Sequence, residues 1–255
     1  MFFKKKKARP EKESIVITNE KNYKQIEEYN RLKDNIMFLN ADGKNKIIQI
    51  ESAMPHEGKT SVLCNLAVAL GLTDKKVVVV DLDFRRPKIH KRFEVSNKFG
   101  IAEFMLGEVQ KEDIVKETKY KNVSVVTRGG EINNASLVLT SKKFKTFVKG
   151  LAKEYDFVLI DSAPILQVSD YIHILSVSNG VLFVVAFGET TKRQITEAIN
   201  ELKKNNANIL GTVFSKYDKK KDGGYYEGNT YGSGYYNYYV KKAEKEAEQE
   251  ESENK

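Results

Sequence analysis

A doubly wound α/β fold, with a mostly parallel sheet flanked by helices, is what this sequence predicts, and three observations carry the prediction. Short β-branched runs recur at residues 46–50, 76–80, 123–126, 157–160, 181–185 and 209–213. Segments with apolar residues spaced by three and four separate them, the pattern of crossover helices. The run from Val77 to Val80 is also unbroken rather than alternating, which suits a strand covered on both faces of a parallel sheet. A chain of 255 residues that is 40% hydrophobic can bury one sizeable core, which excludes wholesale disorder.

The elements follow in order. Residues 1–12 carry Lys4, Lys5, Lys6, Lys7, Arg9 and Lys12 against Glu11, a basic head that suits an anionic membrane face or an acidic partner. Charges follow two aromatics there and no apolar stretch comes after them, so the start does not read as a secretory signal, and Phe2 excludes myristoylation. Ile26, Tyr29, Leu32, Ile36 and Leu39 give a helix over 23–40, ended by Asp42-Gly43. A strand at 46–50 leads through a turn at 52–57 into a helix over 58–72. The remaining strands alternate with helices to about Tyr217. No window approaches the roughly 18 apolar residues of a membrane span, the single thiol, Cys64, has no internal partner, and a cytosolic protein is expected.

Composition changes after residue 217. Residues 222–239 hold seven of the 13 tyrosines and five of the 16 glycines, with no Leu, Ile, Val, Phe or Met, and cannot build a core. An acidic run follows, with Glu244, Glu246, Glu248, Glu250, Glu251 and Glu253. The sequence therefore divides into a basic segment at 1–19, a globular domain at 20–217 that includes the first helix, and a flexible Tyr-rich and charged tail at 218–255. The net charge is +8, but no basic stripe interleaved with aromatics appears in the globular part, so nucleic acid is not an expected partner.

Chemistry concentrates at three strand ends. Ser52-Ala-Met-Pro-His-Glu-Gly-Lys-Thr60 joins a buried strand to a helix, where backbone N–H groups and the helix N-terminus can cradle a polyphosphate. Lys59 could reach the β and γ oxygens and Thr60 could ligate Mg²⁺. The strict G-x-x-x-x-G-K-[ST] pattern fails, because Ala53 stands at its first glycine. Asp81 ends the second strand, with Asp83 two residues on, and Asp161 ends another. Ligands of open α/β sheets bind outside the carboxyl ends of the strands, so three carboxylates would converge beside Thr60 and suit a hard cation bridging ATP phosphates.

Pro55-x-Glu57-Gly58-Lys59-Thr60, Asp81-x-Asp83-x-Arg85-Arg86-Pro87, Asp161-x-x-Pro164 and the tyrosine-rich end occur in the order found in the bacterial tyrosine kinases. The chain resembles that family over roughly residues 20–240, above all the stand-alone cytoplasmic kinases of Gram-positive capsular and exopolysaccharide systems. The resemblance implies a P-loop NTPase fold binding ATP and Mg²⁺. Pro55, His56, Glu57, Gly58, Lys59, Thr60, Ser61 and Arg85 would contact nucleotide, and Thr60, Asp83 and Asp161 would organise the metal. Lys59, Asp81, Asp83 and Asp161 would carry catalysis, with Asp81 accepting the tyrosine proton unless the Asp roles permute. It further implies autophosphorylation of Tyr225, Tyr226, Tyr231, Tyr235, Tyr236, Tyr238 and Tyr239. Its implied partners are a membrane adaptor that regulates chain length, other copies of the chain and a cognate tyrosine phosphatase, which would place the kinase peripherally at the inner membrane face.

Several positions depart from the family pattern. His56 stands where Gly is usual, Asp34 replaces the last Arg of the Glu28-x-x-Arg31 contact motif, Ser215 replaces an Asn near the adenine, and Ala135 and Ala163 replace prolines. Two other readings compete. A partitioning or site-placement ATPase of the related deviant-Walker class would carry Lys where Met54 stands. A catalytically silent phospho-adaptor would have no need of Lys59 and the three aspartates.

Overall fold

The computed structural model describes residues 15–19 and 22–217. The basic head and the seven tail tyrosines lie outside the described residues. After a short 3-10 turn at Val16–Thr18, the chain runs α1 (Tyr23–Leu39), β1 (Ile47–Ser52), α2 (Lys59–Gly71), β2 (Val77–Asp81) and α3 (Ile89–Phe93). It continues through α4 (Ile101–Leu106), α5 (Lys111–Ile114), β3 (Val115–Glu117), β4 (Val123–Val126), α6 (Ala135–Thr140) and α7 (Lys142–Glu154). The last elements are β5 (Phe157–Asp161), α8 (Asp170–Leu175), β6 (Gly180–Ala186), α9 (Lys192–Lys204) and β7 (Ile209–Ser215).

The strands form one seven-stranded sheet in the order β3-β4-β2-β5-β1-β6-β7. Every pairing is parallel except β3 with β4. Period-2 geometry sends neighbouring side chains to opposite faces, and both faces are buried. Ile48, Ile50, Val77, Val79, Val125 and Leu159 pack against α2 and α3. Val78, Val80, Val158 and Ile160 pack with Phe144, Val148 and Leu151 of α7 on the other face. Strand β1 sits between β5 and β6; the chain leaves it towards β2 on one side, while β5 later crosses it to reach β6 on the other, and this reversal opens a crevice at the carboxyl ends.

Helix α2 is buried almost all round, from Val62 to Gly71. Its outer side is covered by α1 and by the start of the described chain, which explains why it reads as continuously apolar rather than amphipathic. Here the structure moves one expected boundary. Ile15 and Ile17, assigned from sequence to the basic segment, are buried in the core with Ile36 and Leu66. Their turn is fastened by the Val16 and Ile17 N–H groups, which donate to Asn65 Oδ1 at 2.8 and 3.2 Å.

Strand β1 also runs two residues beyond the expected end, because Glu51 and Ser52 pair with Phe183 and Val184 of β6. The edge strand β3 was not expected: its three residues are too few to show a period, and it exists only by pairing with β4. Among the described residues, no helix is long and apolar enough to cross a membrane.

Candidate active site

The loop after β1 turns sharply enough to need two left-handed residues. Gly58, the N-cap of α2, has φ +87°, and a Cβ there would stand 3.1 Å from Ser215 Cβ. His56 has φ +65°. A residue with a side chain does not take this conformation as freely as the Gly usual at this position, yet His56 takes it. Histidine is among the non-glycine residues enriched there, so the cost is modest.

Residues far away in the chain brace this loop. The Glu57 carboxylate accepts the Met54 N–H at 2.9 Å and the Thr190 hydroxyl, while Thr190 Oγ1 accepts the Ala186 N–H at 3.1 Å. Ser215 Oγ donates to the Glu57 carbonyl. Ser215, expected near the adenine, therefore serves here as a strut of the loop, and Thr190 is a bracing residue that sequence reading missed. Pro55 and His56 form the outer bend of the same loop.

The expected charges meet at the start of α2. Lys59 and Thr60 both donate to Asp161, the lysine ammonium to Oδ1 and the Thr60 hydroxyl to Oδ2 at 2.8 Å. Lys59 and Asp161 are both buried. Burial works against the Lys59 ammonium, but Asp161, reinforced by Asp83 and Glu51, outweighs it and holds the lysine above its ordinary value.

Asp81 pairs directly with Asp161 across neighbouring strands. It is fully buried, and its two oxygens accept the Asp83 N–H at 3.2 Å and the Ile89 N–H at 3.1 Å. Burial first, and the Asp161 charge second, push its carboxyl up to about 8. Asp83 is half-buried at the mouth, where Oδ1 accepts the Arg85 and Arg86 N–H groups at 3.2 and 2.9 Å and shapes the turn. Arg85 reaches over the mouth to within 3.8 Å of the buried Asp170. Ser61 follows Thr60 in the first turn of α2.

A further buried acid, Glu51, stands behind the site. Glu51 Oε1 accepts Gln49 Nε2 and Ser162 Oγ, each at 2.6 Å, and Ser162 Oγ also lies 3.1 Å from the Ile50 carbonyl. Glu51 Oε2 and Gln49 Oε1 are buried without a hydrogen-bond partner. Burial raises Glu51 to about 7. Cys64 is buried, and burial pushes its thiol well above the ordinary range, as expected of an inert packing residue.

The donor set is all oxygen, which suits Mg²⁺. Among the described residues, no group of three or more His, Cys, Asp or Glu side chains is arranged to hold a metal. The fit is therefore to a cation that takes its remaining ligands from phosphate and water, the usual mode for Mg²⁺ beside a nucleotide.

The AAA domain family model matches residues 45–211. The tyrosine-protein kinase YwqD of Bacillus subtilis is 32% identical over 225 residues, covering 88% of this chain and 94% of its own. The kinase domain of the Escherichia coli tyrosine kinase ETK superposes with a TM-score of 0.75 at 25% identity, covering 89% of this chain and 87% of that one. The septum site-determining protein MinD of Pyrococcus horikoshii, complexed with Mg-ADP, superposes with a TM-score of 0.59 at 26% identity over 68% of this chain and 71% of that one.

Proposed function

The chain belongs to the bacterial tyrosine-protein kinases, and from that premise we propose how its site divides the work of moving a phosphoryl group from MgATP to tyrosine. One observation carries the reading: Asp161 gathers Lys59 and Thr60 at the N-terminus of α2 while Asp81 lies in register beside it. MgATP supplies the transferred phosphoryl group and a cation that neutralises charge. Gly58 and the N–H groups of the 55–61 loop receive phosphate oxygens, with Pro55, His56, Glu57 and Ser61 shaping the cradle. Lys59 holds the β and γ oxygens, and Arg85 adds positive charge at the mouth. Thr60, Asp83 and Asp161 hold the cation directly or through water.

Asp81 receives the tyrosine proton. A free tyrosine titrates near pH 10, and a carboxylate raised to about 8 lies closer to that value than an ordinary one, so transfer is better matched. The sequence alone left the Asp roles open. The buried, raised Asp81 and the half-buried Asp83 support this division between proton acceptor and metal organiser.

The acceptors in this reading are Tyr225, Tyr226, Tyr231, Tyr235, Tyr236, Tyr238 and Tyr239 of a neighbouring copy, presented by a separate segment at 218–255. Seven hydroxyls on one Gly-rich segment can be presented in many registers, so local concentration rather than one recognised sequence selects the target. The basic residues 1–12 suit a membrane adaptor, which would bring the kinase to the inner membrane face and couple it to capsular or exopolysaccharide chain length and export. A cognate tyrosine phosphatase would reset the tail.

The partitioning ATPase reading receives less support. MinD superposes over a smaller share of the chain, and Met54, which stands where that class carries Lys, packs its apolar side chain against the core and gives its N–H to Glu57. The decisive experiment incubates the full chain with MgATP and maps phosphotyrosine by mass spectrometry. Lys59→Met should abolish labelling with circular dichroism unchanged; labelling at the wild-type rate would overturn the site.

A further inference from the structure

Asp170 belongs to none of the motifs that point to the site, yet it is a buried carboxylate at its mouth. Its Oδ2 is shut off from solvent and has no hydrogen-bond partner among the described residues. Arg85 Nη2 stands 3.8 Å from that oxygen, beyond hydrogen-bond length but near enough to be drawn by its charge. A carboxylate taken out of water is costly unless a cation faces it, so the placement of Asp170 calls for that guanidinium. We propose that Asp170 is a positioning residue, whose carboxylate draws the Arg85 guanidinium across the crevice between the ends of β2 and β5 and aims it at the phosphates of MgATP. This rests on the kinase reading and adds to it the residue that orients one of its cations.

The two members of the pair come from different connections of neighbouring strands. Arg85 lies in the turn after β2, and Asp170 opens α8 after β5. The backbone of the Arg85 turn is held from both sides, because Asp83 Oδ1 accepts the Arg85 N–H at 3.2 Å and Arg128 Nη1 donates to the Phe84 carbonyl at 3.0 Å. The Arg85 side chain beyond it is largely exposed, and a long side chain in water samples many rotamers unless something holds it. Asp170 stands on firmer ground. Tyr171 and Ile174 next to it are buried, Gln49 Nε2 donates to the Tyr171 carbonyl at 3.2 Å, and the Ile165 N–H donates to the Ser52 carbonyl at 3.0 Å, tying the segment before α8 to the end of β1. A fixed carboxylate thus orients an otherwise free guanidinium. One edge of the planar fork on Asp170 leaves other N–H donors for phosphate oxygens.

The test is a double-mutant cycle in the full chain, read as the initial rate of phosphotyrosine formation with MgATP. Asp170→Asn keeps the size of the side chain and should lower kcat/KM for MgATP roughly tenfold, of which Asp170→Glu should recover part. In an Arg85→Ala background, Asp170→Asn should change kcat/KM by less than about twofold, because the residue it orients is gone. Guanidinium ion added to Arg85→Ala should restore part of the rate while Asp170 is present and none once it is Asn. Wild-type kcat/KM in Asp170→Asn would overturn the proposal. A tenfold loss in both backgrounds, or equal restoration by guanidinium ion with and without the carboxylate, would also overturn it, since Asp170 would then act through packing. A wild-type chain that forms no phosphotyrosine would instead sink the kinase reading itself, and the proposal with it.

Discussion

Strands β2 and β5 are near copies in sequence, Val-Val-Val-Val-Asp and Phe-Val-Leu-Ile-Asp, and they lie side by side with every residue buried and Asp81 opposite Asp161. Their terminal carboxylates nevertheless do different things. Asp161 faces the start of α2 and is met by an ammonium and a hydroxyl. Asp81 faces α3 and the turn at Asp83 and is met only by two backbone N–H groups; burial first and the Asp161 charge second outweigh them and push it up to about 8. The same local signal gives an anchored anion in one strand and a raised, buried acid in the other. What stands across from the strand end decides the chemistry.

Substitutions at the two positions should separate these roles. Asp161→Asn removes the partner of a buried ammonium and should cost about 3–5 kcal/mol of stability, besides abolishing labelling. Asp81→Asn also abolishes labelling, but it removes a charge that burial already disfavours. The amide can still accept one of the two N–H groups, so the cost should stay under about 2 kcal/mol. Urea unfolding of both variants at pH 7 checks the difference, and equal losses would mean that the two carboxylates are alike after all.

Changing pH sharpens the comparison by including a third acid. Glu51 is raised from 4.5 to about 7, so between those values the folded state binds more protons than the unfolded one. Its contribution is fully present below pH 4.5 and is lost as pH rises through 7. Relative to Glu51→Gln, wild type should lose on the order of 3 kcal/mol from pH 5 to pH 8. The variant pair measured by urea unfolding at both pH values isolates this acid from Asp81, whose own window extends to about 8. No pH-dependent gap between them would mean that Glu51 is ionised throughout.

The smallest expected effect lies in the loop. His56→Gly relieves a left-handed residue costing about 1 kcal/mol and adds backbone entropy of nearly the same size. Stability should change by less than about 0.5 kcal/mol, measured by thermal unfolding. A larger gain would show that the loop is more strained than its neighbours' bonding suggests.

These contrasts also show what the sequence could carry. Six strands were legible because each is built round a short apolar or β-branched run, most plainly the fully buried Val77–Val80, and Lys59, Thr60, Asp81 and Asp161 were legible because each directly follows such a run or opens the helix behind it. Periodicity has nothing to say about β3, which is three residues long, or about the short helices α3 to α6. Thr190 and Ser215 were not legible as braces. Their partner, Glu57, lies 133 and 158 residues away, and no pattern in the chain links such positions. Glu51 was visible as a charge but not as an acid raised by burial, since that required strand β1 to run past Ile50 and pair with β6.

The bracing of the 53–58 loop bears on how the protein comes into being on the ribosome. A chain synthesised only through β5 already possesses Lys59, Thr60, Asp81, Asp83 and Asp161. It lacks Thr190, which precedes α9, and Ser215, which closes β7. Until both have emerged, Glu57 is held only from within the loop, by the Met54 N–H, and Gly58 has no wall behind it. Domains fold as units, late strands included, so competence to take up nucleotide arrives with the last strand rather than with the last catalytic side chain.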